Sequence, residues 1–202
     1  KRSPHSVKYV YVQHALVSQH LAYRPAAFDN FDAVLCSGKH HIEEIRAREK
    51  LHNLPAKDLV KHGYSRLDVM LAAVSKGEAA PLSENLQVLL APTWGEVGLL
   101  KSHGEQIISQ LLASNIKVLL RPHPRTSQLQ LEVVQGLVNK FAANPLFSFD
   151  TNIDSFTSLA QSHLLISDWS GTALEYAFAF KRPVIFIDAP KKLQNPDYQE
   201  LG

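Results

Sequence analysis

One cysteine, Cys36, in 202 residues leaves no partner for an internal disulfide, and no Cys/His cluster has the spacing of a structural zinc site. Nothing in the thiol content asks for an oxidising compartment, so a cytoplasmic location is expected. Long apolar runs are missing as well: none approaches the roughly 20 residues needed to span a bilayer. Nor is charge of one sign in excess, since 21 Lys+Arg face 19 Asp+Glu, a formal +2 with a pI near 8.6. That balance gives no bulk attraction for nucleic acid, and any bound anion must be held by a local arrangement of groups. Low-complexity tracts and internal repeats are also lacking. With 45% hydrophobic and 20% charged residues, the chain is globular and long enough for one large or two small domains. It opens at Lys1 without a signal-peptide pattern and reaches the apolar run Val7-Lys8-Tyr9-Val10-Tyr11-Val12 almost at once. Together with an ending just after Asn195-Pro196-Asp197-Tyr198, this leads to the expectation of a piece of a longer protein.

Hydrophobic periodicity gives the organisation. In the first third, strands are expected over residues 7–13, 33–37 and 58–62, with a helix over 41–51 that turns Ile42, Ile45 and Leu51 inward. A helix entered near Ser65 or Arg66 fades into the polar, Gly- and Pro-containing stretch Ser75-Lys76-Gly77-Glu78-Ala79-Ala80-Pro81, the best linker candidate. The expected domains are therefore 1–80, the end of an α/β domain, and 81–202. In the second, strands over 87–91, 116–121, 146–149, 163–167 and 183–188 alternate with helices over 97–114, 127–143, 153–161 and 171–180. Short continuous apolar strands separated by amphipathic helices are the pattern of parallel βαβ units with both sheet faces covered. The fold class is α/β, with a Rossmann-like doubly wound parallel sheet in the C-terminal domain.

Such sheets bind ligands beyond the carboxyl ends of their strands, so the segments after each strand carry the functional question. Arg121-Pro122-His123-Pro124-Arg125 holds an imidazole between two prolines that stiffen the loop, flanked by guanidinium groups. Phosphate is a natural ligand, at about 1.5–3 kcal/mol for each charge-assisted hydrogen bond; the plain structural alternative is a rigid turn with a capping histidine. Ser167-Asp168-Trp169-Ser170-Gly171-Thr172 joins a buried strand to a helix through hydroxyls and a glycine. Helix-terminal amides with Ser170 and Thr172 make an anion site, or Ser170 or Asp168 is simply a cap worth about 1 kcal/mol. Glu175, one turn into that helix, suits the two hydroxyls of a ribose or merely an acid near a helix start. Thr93 and Trp94 follow the strand at 87–91, and Trp94 and Trp169 can each stack on a base or fill core space. His14 follows the first strand and is a candidate general base, although it is one of ten histidines. His40, His41 and His52 lack suitably spaced carboxylate or thiol partners for a metal, and Cys36 reads as a buried strand residue.

Taken together, Ala91-Pro92-Thr93-Trp94, Arg121-Pro122-His123-Pro124, Leu164-Leu165-Ile166-Ser167-Asp168-Trp169-Ser170 and Lys181-Arg182-Pro183-Val184-Ile185-Phe186 resemble the CDP-glycerol glycerophosphotransferases of teichoic-acid synthesis. Phe28-Asp29-Asn30-Phe31-Asp32-Ala33-Val34-Leu35, Glu43-Glu44-Ile45 and His62-Gly63-Tyr64-Ser65-Arg66-Leu67-Asp68 extend the likeness over most of residues 7 to 188. The resemblance implies a GT-B architecture of two Rossmann-like domains, the C-terminal one holding a nucleotide-activated donor, CDP-glycerol or a nucleotide sugar. It further implies a membrane-bound or lipid-linked polymer acceptor at the inner face of the membrane, no nucleic acid, no cofactor and no metal. By similarity, Arg121, His123, Arg125, Ser167, Ser170, Gly171 and Thr172 contact donor phosphates, Glu175, Thr93 and Trp94 face ribose and base, and His14 and His123 are catalytic. His14 is followed by Ala15-Leu16 where that family has Gly-Thr. Two other readings remain open: a GT-B glycosyltransferase or UDP-N-acetylglucosamine 2-epimerase-like enzyme, and a nucleotide-binding fragment without turnover.

Overall fold

The computed structural model describes residues 3–152, 154–190 and 193–200. The chain divides into two compact units, Lys1–Arg66 with Lys192–Gly202, and Leu67–Lys191. The first unit contains β1 (Val10–Val12), α1 (Gln19–Ala22), β2 (Ala33–Cys36), α2 (Lys39–Leu51) and β3 (Asp58–Lys61), with a 3-10 turn at Pro196–Gln199. Its three strands are parallel and ordered β1-β2-β3. Val34 and Cys36 point to one face and pack with Ile45 of α2, joined by Tyr11, Ile42 and Leu59. The opposite face carries Val10, Val12 and Val60, each about half exposed (47%, 51% and 47%).

Two local expectations are corrected here. The first strand is limited to Val10–Val12 because its partner begins at Ala33, which pairs with Val10; ahead of it, Asp32 turns back and its carboxylate accepts the Tyr9 N–H at 2.8 Å. In α2 the buried residues are His41, Ile45 and Glu49, spaced four apart. Leu51, at the helix end, falls off that line and is exposed.

The second unit begins within α3 (Ser65–Ser75) and continues through β4 (Gln87–Leu90), α4 (Leu99–Ala113), β5 (Lys117–Leu120), α5 (Pro124–Leu129), α6 (Leu131–Phe141), β6 (Phe147–Phe149), α7 (Phe156–Ala160), β7 (Leu164–Ser167), α8 (Gly171–Phe180) and β8 (Val184–Phe186). All five strands are parallel, in the order β6-β5-β4-β7-β8. The alternation of side chains along each strand feeds two cores. Val88, Leu90, Val118, Leu120 and Ile166 pack with Leu99, Leu100 and Ile108 of α4 and Val134, Leu137 and Phe141 of α6. Leu89, Leu119 and Leu165 pack on the other face with Met70 of α3, Leu159 of α7 and Ala173, Tyr176, Ala179 and Phe180 of α8.

That second core explains where the units divide. Leu67, Met70 and Val74 of α3, and Ala79 beyond it, join the core of the five-stranded sheet, and the compact units divide within α3, between Arg66 and Leu67. The helix expected over 127–143 is two helices: α5 starts earlier, on Pro124, and the chain breaks at Gln130, whose φ of −133° and ψ of 45° are not helical. Helix α7 is shorter than expected, and Ile153, included in its expected span, lies outside the described residues. Helix α8 spans the same residues as its periodicity predicts.

Candidate functional site

The order of the second sheet fixes where a site can form. The chain proceeds from central β4 outward to β5 and β6, then returns to lay β7 and β8 on the other side of β4. Beyond the carboxyl ends of β4 and β7, the connections lead to α4 and α8 on opposite faces of the sheet, the place where sheets of this kind hold ligands.

After β5, Pro122 is buried and His123 is the N-cap of α5. Its Nδ1 accepts the Arg125 N–H at 3.1 Å, so the proton of the neutral ring sits on Nε2, where it is a donor. The guanidinium of Arg125 lies over the Trp94 ring, its central carbon 4.0 Å from the centroid, and the His123 ring is 6.3 Å from the same indole. Trp94 thus gathers His123 and Arg125 across the ends of two neighbouring strands. Gln130 Nε2, at the break between α5 and α6, donates to Gly95 O at 3.0 Å and ties down the β4–α4 loop.

Arg121 has a different environment from the one expected. Its guanidinium is paired with Asp150 beyond β6, whose carboxylate also takes hydrogen bonds from the Ser158 hydroxyl and the Asn152 N–H. Burial alone would raise the Asp150 carboxyl; the hydrogen bonds from Ser158 and Asn152 and the Arg121 charge outweigh it and hold it below the usual carboxylate value. Arg121 therefore joins the ends of β5 and β6 through an internal anion.

After β7, Ser167 is fully buried and its hydroxyl donates to Ala91 O at 2.7 Å. Ser167, expected among the phosphate-contacting residues, is the last residue of an interior strand and uses its hydroxyl to bridge β7 to the end of β4. Ser170 caps α8, its hydroxyl accepting the Thr172 N–H at 3.3 Å. The Gly171 amide, in the same first turn, has no intrahelical partner. Glu175 is buried within α8 and is engaged with neighbouring groups. Trp169 is exposed, with its indole N–H donating to Ala189 O at 2.8 Å.

The residue that unites these segments was expected at most to cap α8. Asp168 is 2% exposed, and its Oδ1 accepts the Thr93 N–H at 2.7 Å. Backbone amides of Leu99, Trp169 and Asp168 itself also favour its charged form, but burial dominates and pushes the carboxyl above its ordinary value. Asp150, Gln130 and Asp168 were all missed as organisers of this edge. Asp150 and Asp168 left the same sequence signal, an acid directly after a strand; Gln130 left none.

In the first unit, His14 is exposed and its Nδ1 lies 2.8 Å from the Tyr11 hydroxyl, which in turn is 3.3 Å from that of Tyr23. Tyr11 and Tyr23 meet its ring edge-to-face, and they are backed in turn by Phe28, which packs on both, and by Phe31, which packs on Tyr11. Burial, then the neighbouring Tyr11 hydroxyl, push the Tyr23 phenol far up. Tyr64 donates from its hydroxyl to His14 O at 3.1 Å, fixing the loop backbone. His41 is a satisfied core histidine, its Nδ1 accepting from Ser37 N–H and its Nε2 donating to Val17 O.

The family described as CDP-glycerol:poly(glycerophosphate) glycerophosphotransferase matches residues 4–192. No curated protein matches the chain. Among solved structures, the wall teichoic acid polymerase TagF is 18% identical, with a TM-score of 0.51 over 89% of this chain and 48% of its own. UDP-GlcNAc 2-epimerase from Neisseria meningitidis, bound to UDP-GlcNAc, is 12% identical with a TM-score of 0.58, over 84% of this chain and 47% of its own. The epimerase from Methanocaldococcus jannaschii, in complex with UDP-GlcNAc and UDP, gives 15% and 0.55, over 84% and 48%. These likenesses show the fold, an α/β arrangement of parallel sheets of the GT-B type, and the chain spans about half the length of each of these solved proteins.

Proposed function

We propose that this chain, which belongs to the CDP-glycerol:poly(glycerophosphate) glycerophosphotransferase family, provides the donor site of an enzyme that transfers glycerophosphate from CDP-glycerol to a hydroxyl of a growing cell-surface polymer. The family match over residues 4–192 carries this reading. In the reaction, the acceptor hydroxyl attacks the β-phosphorus of CDP-glycerol, a new P–O bond forms, the bond to the CMP oxygen breaks and CMP leaves. His14 takes the hydroxyl proton on Nε2. Leaving CMP bears the electron pair of the broken bond, so donors aimed at the phosphates lower the barrier.

The second unit offers those donors. His123 presents Nε2–H because its Nδ1 is committed to the Arg125 amide. Ser170, Gly171 and Thr172 at the start of α8 supply hydroxyls and an amide near the positive end of a ten-residue helix. Arg125 neutralises charge from its place on Trp94, Thr93 and Trp94 form the wall for the base, and Glu175 addresses the ribose. The acceptor is a membrane-bound or lipid-linked polymer, reached from the cytoplasmic side. Among the described residues no helix is long and apolar enough to cross a membrane.

Thermal unfolding with CDP, CMP, UDP, CDP-glycerol and UDP-N-acetylglucosamine tests the donor. CDP-glycerol at a hundred times its Kd should add about 2.7 kcal/mol of stability, and His123→Ala should remove most of that gain. Stabilisation by the uridine ligands alone would favour a nucleotide-sugar enzyme, and no stabilisation by any of them would leave the second unit without a donor site. In the active enzyme, His14→Ala should lower turnover by about 10²–10⁴ with donor affinity retained; unchanged turnover removes His14 from the reaction.

A further inference from the structure

The carboxyl edge of the second sheet contains a buried acid that the transfer reaction does not use. Asp168 lies between two connections at the point where the strand order reverses. From the end of β7 it accepts the amide of Thr93, 75 residues away in the chain, at 2.7 Å. It also faces the amide of Leu99, the first residue of α4. The start of the β4–α4 loop is thus held by the Asp168 carboxylate, which the amide at its end also favours in the charged form. Within that loop, Gly98 N–H bonds to Gly95 O at 3.0 Å. A Cβ at Gly98 would lie 3.0 Å from Gly95 O, a contact tight enough that the loop backbone would have to give.

We propose that Asp168 is the positioning residue of the donor site: its carboxylate fixes the β4–α4 loop that carries Thr93 and Trp94, and so sets where the donor base is received. This rests on the reading of the β4, β5 and β7 edge as a nucleotide site. Asp168 touches no reacting atom; it acts through Thr93 and Trp94.

Asp168→Asn removes the charge and one acceptor while retaining the shape. Ile108→Val, a core change on α4 away from the loop, serves as the control for lost stability alone. Two readouts are taken on the chain itself. Without nucleotide, amide hydrogen exchange of residues 93–99 should quicken at least tenfold in Asp168→Asn relative to the rest of the second unit, and should not do so in Ile108→Val. With CDP, titration calorimetry should give a Kd at least tenfold weaker in Asp168→Asn and within twofold of wild type in Ile108→Val. Loop exchange that is not selectively faster overturns the anchor, and a CDP Kd unchanged in the presence of a loosened loop overturns its role in donor positioning. If the loop loosens but wild type binds no CDP, the nucleotide-site reading fails while the anchor stands. Should Asp168→Asn not fold, Asp168→Glu, which keeps the charge and displaces it by one methylene, is judged on the same two readouts.

Discussion

The two sheets of this chain are built from the same parallel βαβ units but differ in how their faces are covered. In the five-stranded sheet, β4, β5 and β7 each bury three of four residues, with α4 and α6 on one face and α3, α7 and α8 on the other. In the three-stranded sheet only one face has a core, built around Val34, Cys36 and Ile45, while Val10, Val12 and Val60 remain half exposed. The contrast shows where rigidity is available. Interior strands buried on both sides provide fixed ends, and the groups after β4, β5 and β7 inherit that order. His14, after the edge strand β1, is held instead by aromatic contacts and by the Tyr64 hydroxyl bond to its backbone.

Leu120 offers the strongest way to break this contrast. It is fully buried between β5 and the helices on its face, and Leu120→Ala should cost about 2–5 kcal/mol in denaturant unfolding. A loss below 1 kcal/mol would mean that the two sheets do not differ in packing as described. Removing a cap should do less: Ser170→Ala loses the bond to the Thr172 amide at about 1 kcal/mol, and weakens the stabilisation by CDP. If stability falls while the CDP effect persists, Ser170 is a cap and nothing more.

Acid should separate the units without mutation. His41 is fully buried in the first unit, and its pKa is lowered, chiefly by burial; the bond to Val17 O and the charge of Glu44 oppose this, while His40 adds to it. The folded ring therefore binds its proton less readily than the unfolded ring, whose ordinary value is 6.5. Stability from this source is complete above about 6.5 and is lost as the pH falls from there through the lower folded value. Thermal unfolding of the first unit at pH 7.5 and 5.5 should show the loss, and His41→Gln should reduce it; an equal acid sensitivity in the variant would place the effect elsewhere. The smallest change is expected at the uncovered face, where Val12→Thr should alter stability by no more than about 0.5 kcal/mol. A larger loss would show that this face is packed in solution.

Much of the second unit was legible because its elements are local. The 3.6 and 2 periodicities placed every strand from β4 to β8 and the helices α4, α7 and α8, while α5 and α6 read as one helix; α8 matched residue for residue. Errors arose where an element depends on a neighbour. β1 is cut short by the start of β2, the helix after β5 breaks at Gln130, and α3 belongs by packing to the sheet that follows it. The same distinction runs through the candidate site. The places of His123, Ser170 and Thr172 beside helix starts were readable because each closely follows a strand end. Arg121 and Ser167 looked equally suitable, yet one is paired with Asp150 and the other bonded to Ala91 O.

By itself, the sequence determined an α/β chain, the second unit's alternation of strands and helices, and the motifs that mark its family, since each is written in contiguous residues. Only the tertiary structure decided the strand order, the face on which each helix lies, and which polar groups are already spent. Asp168 shows the reason most directly: its value lies in the Thr93 and Leu99 amides it reaches, and no local period of the sequence encodes a bond between residues 75 positions apart.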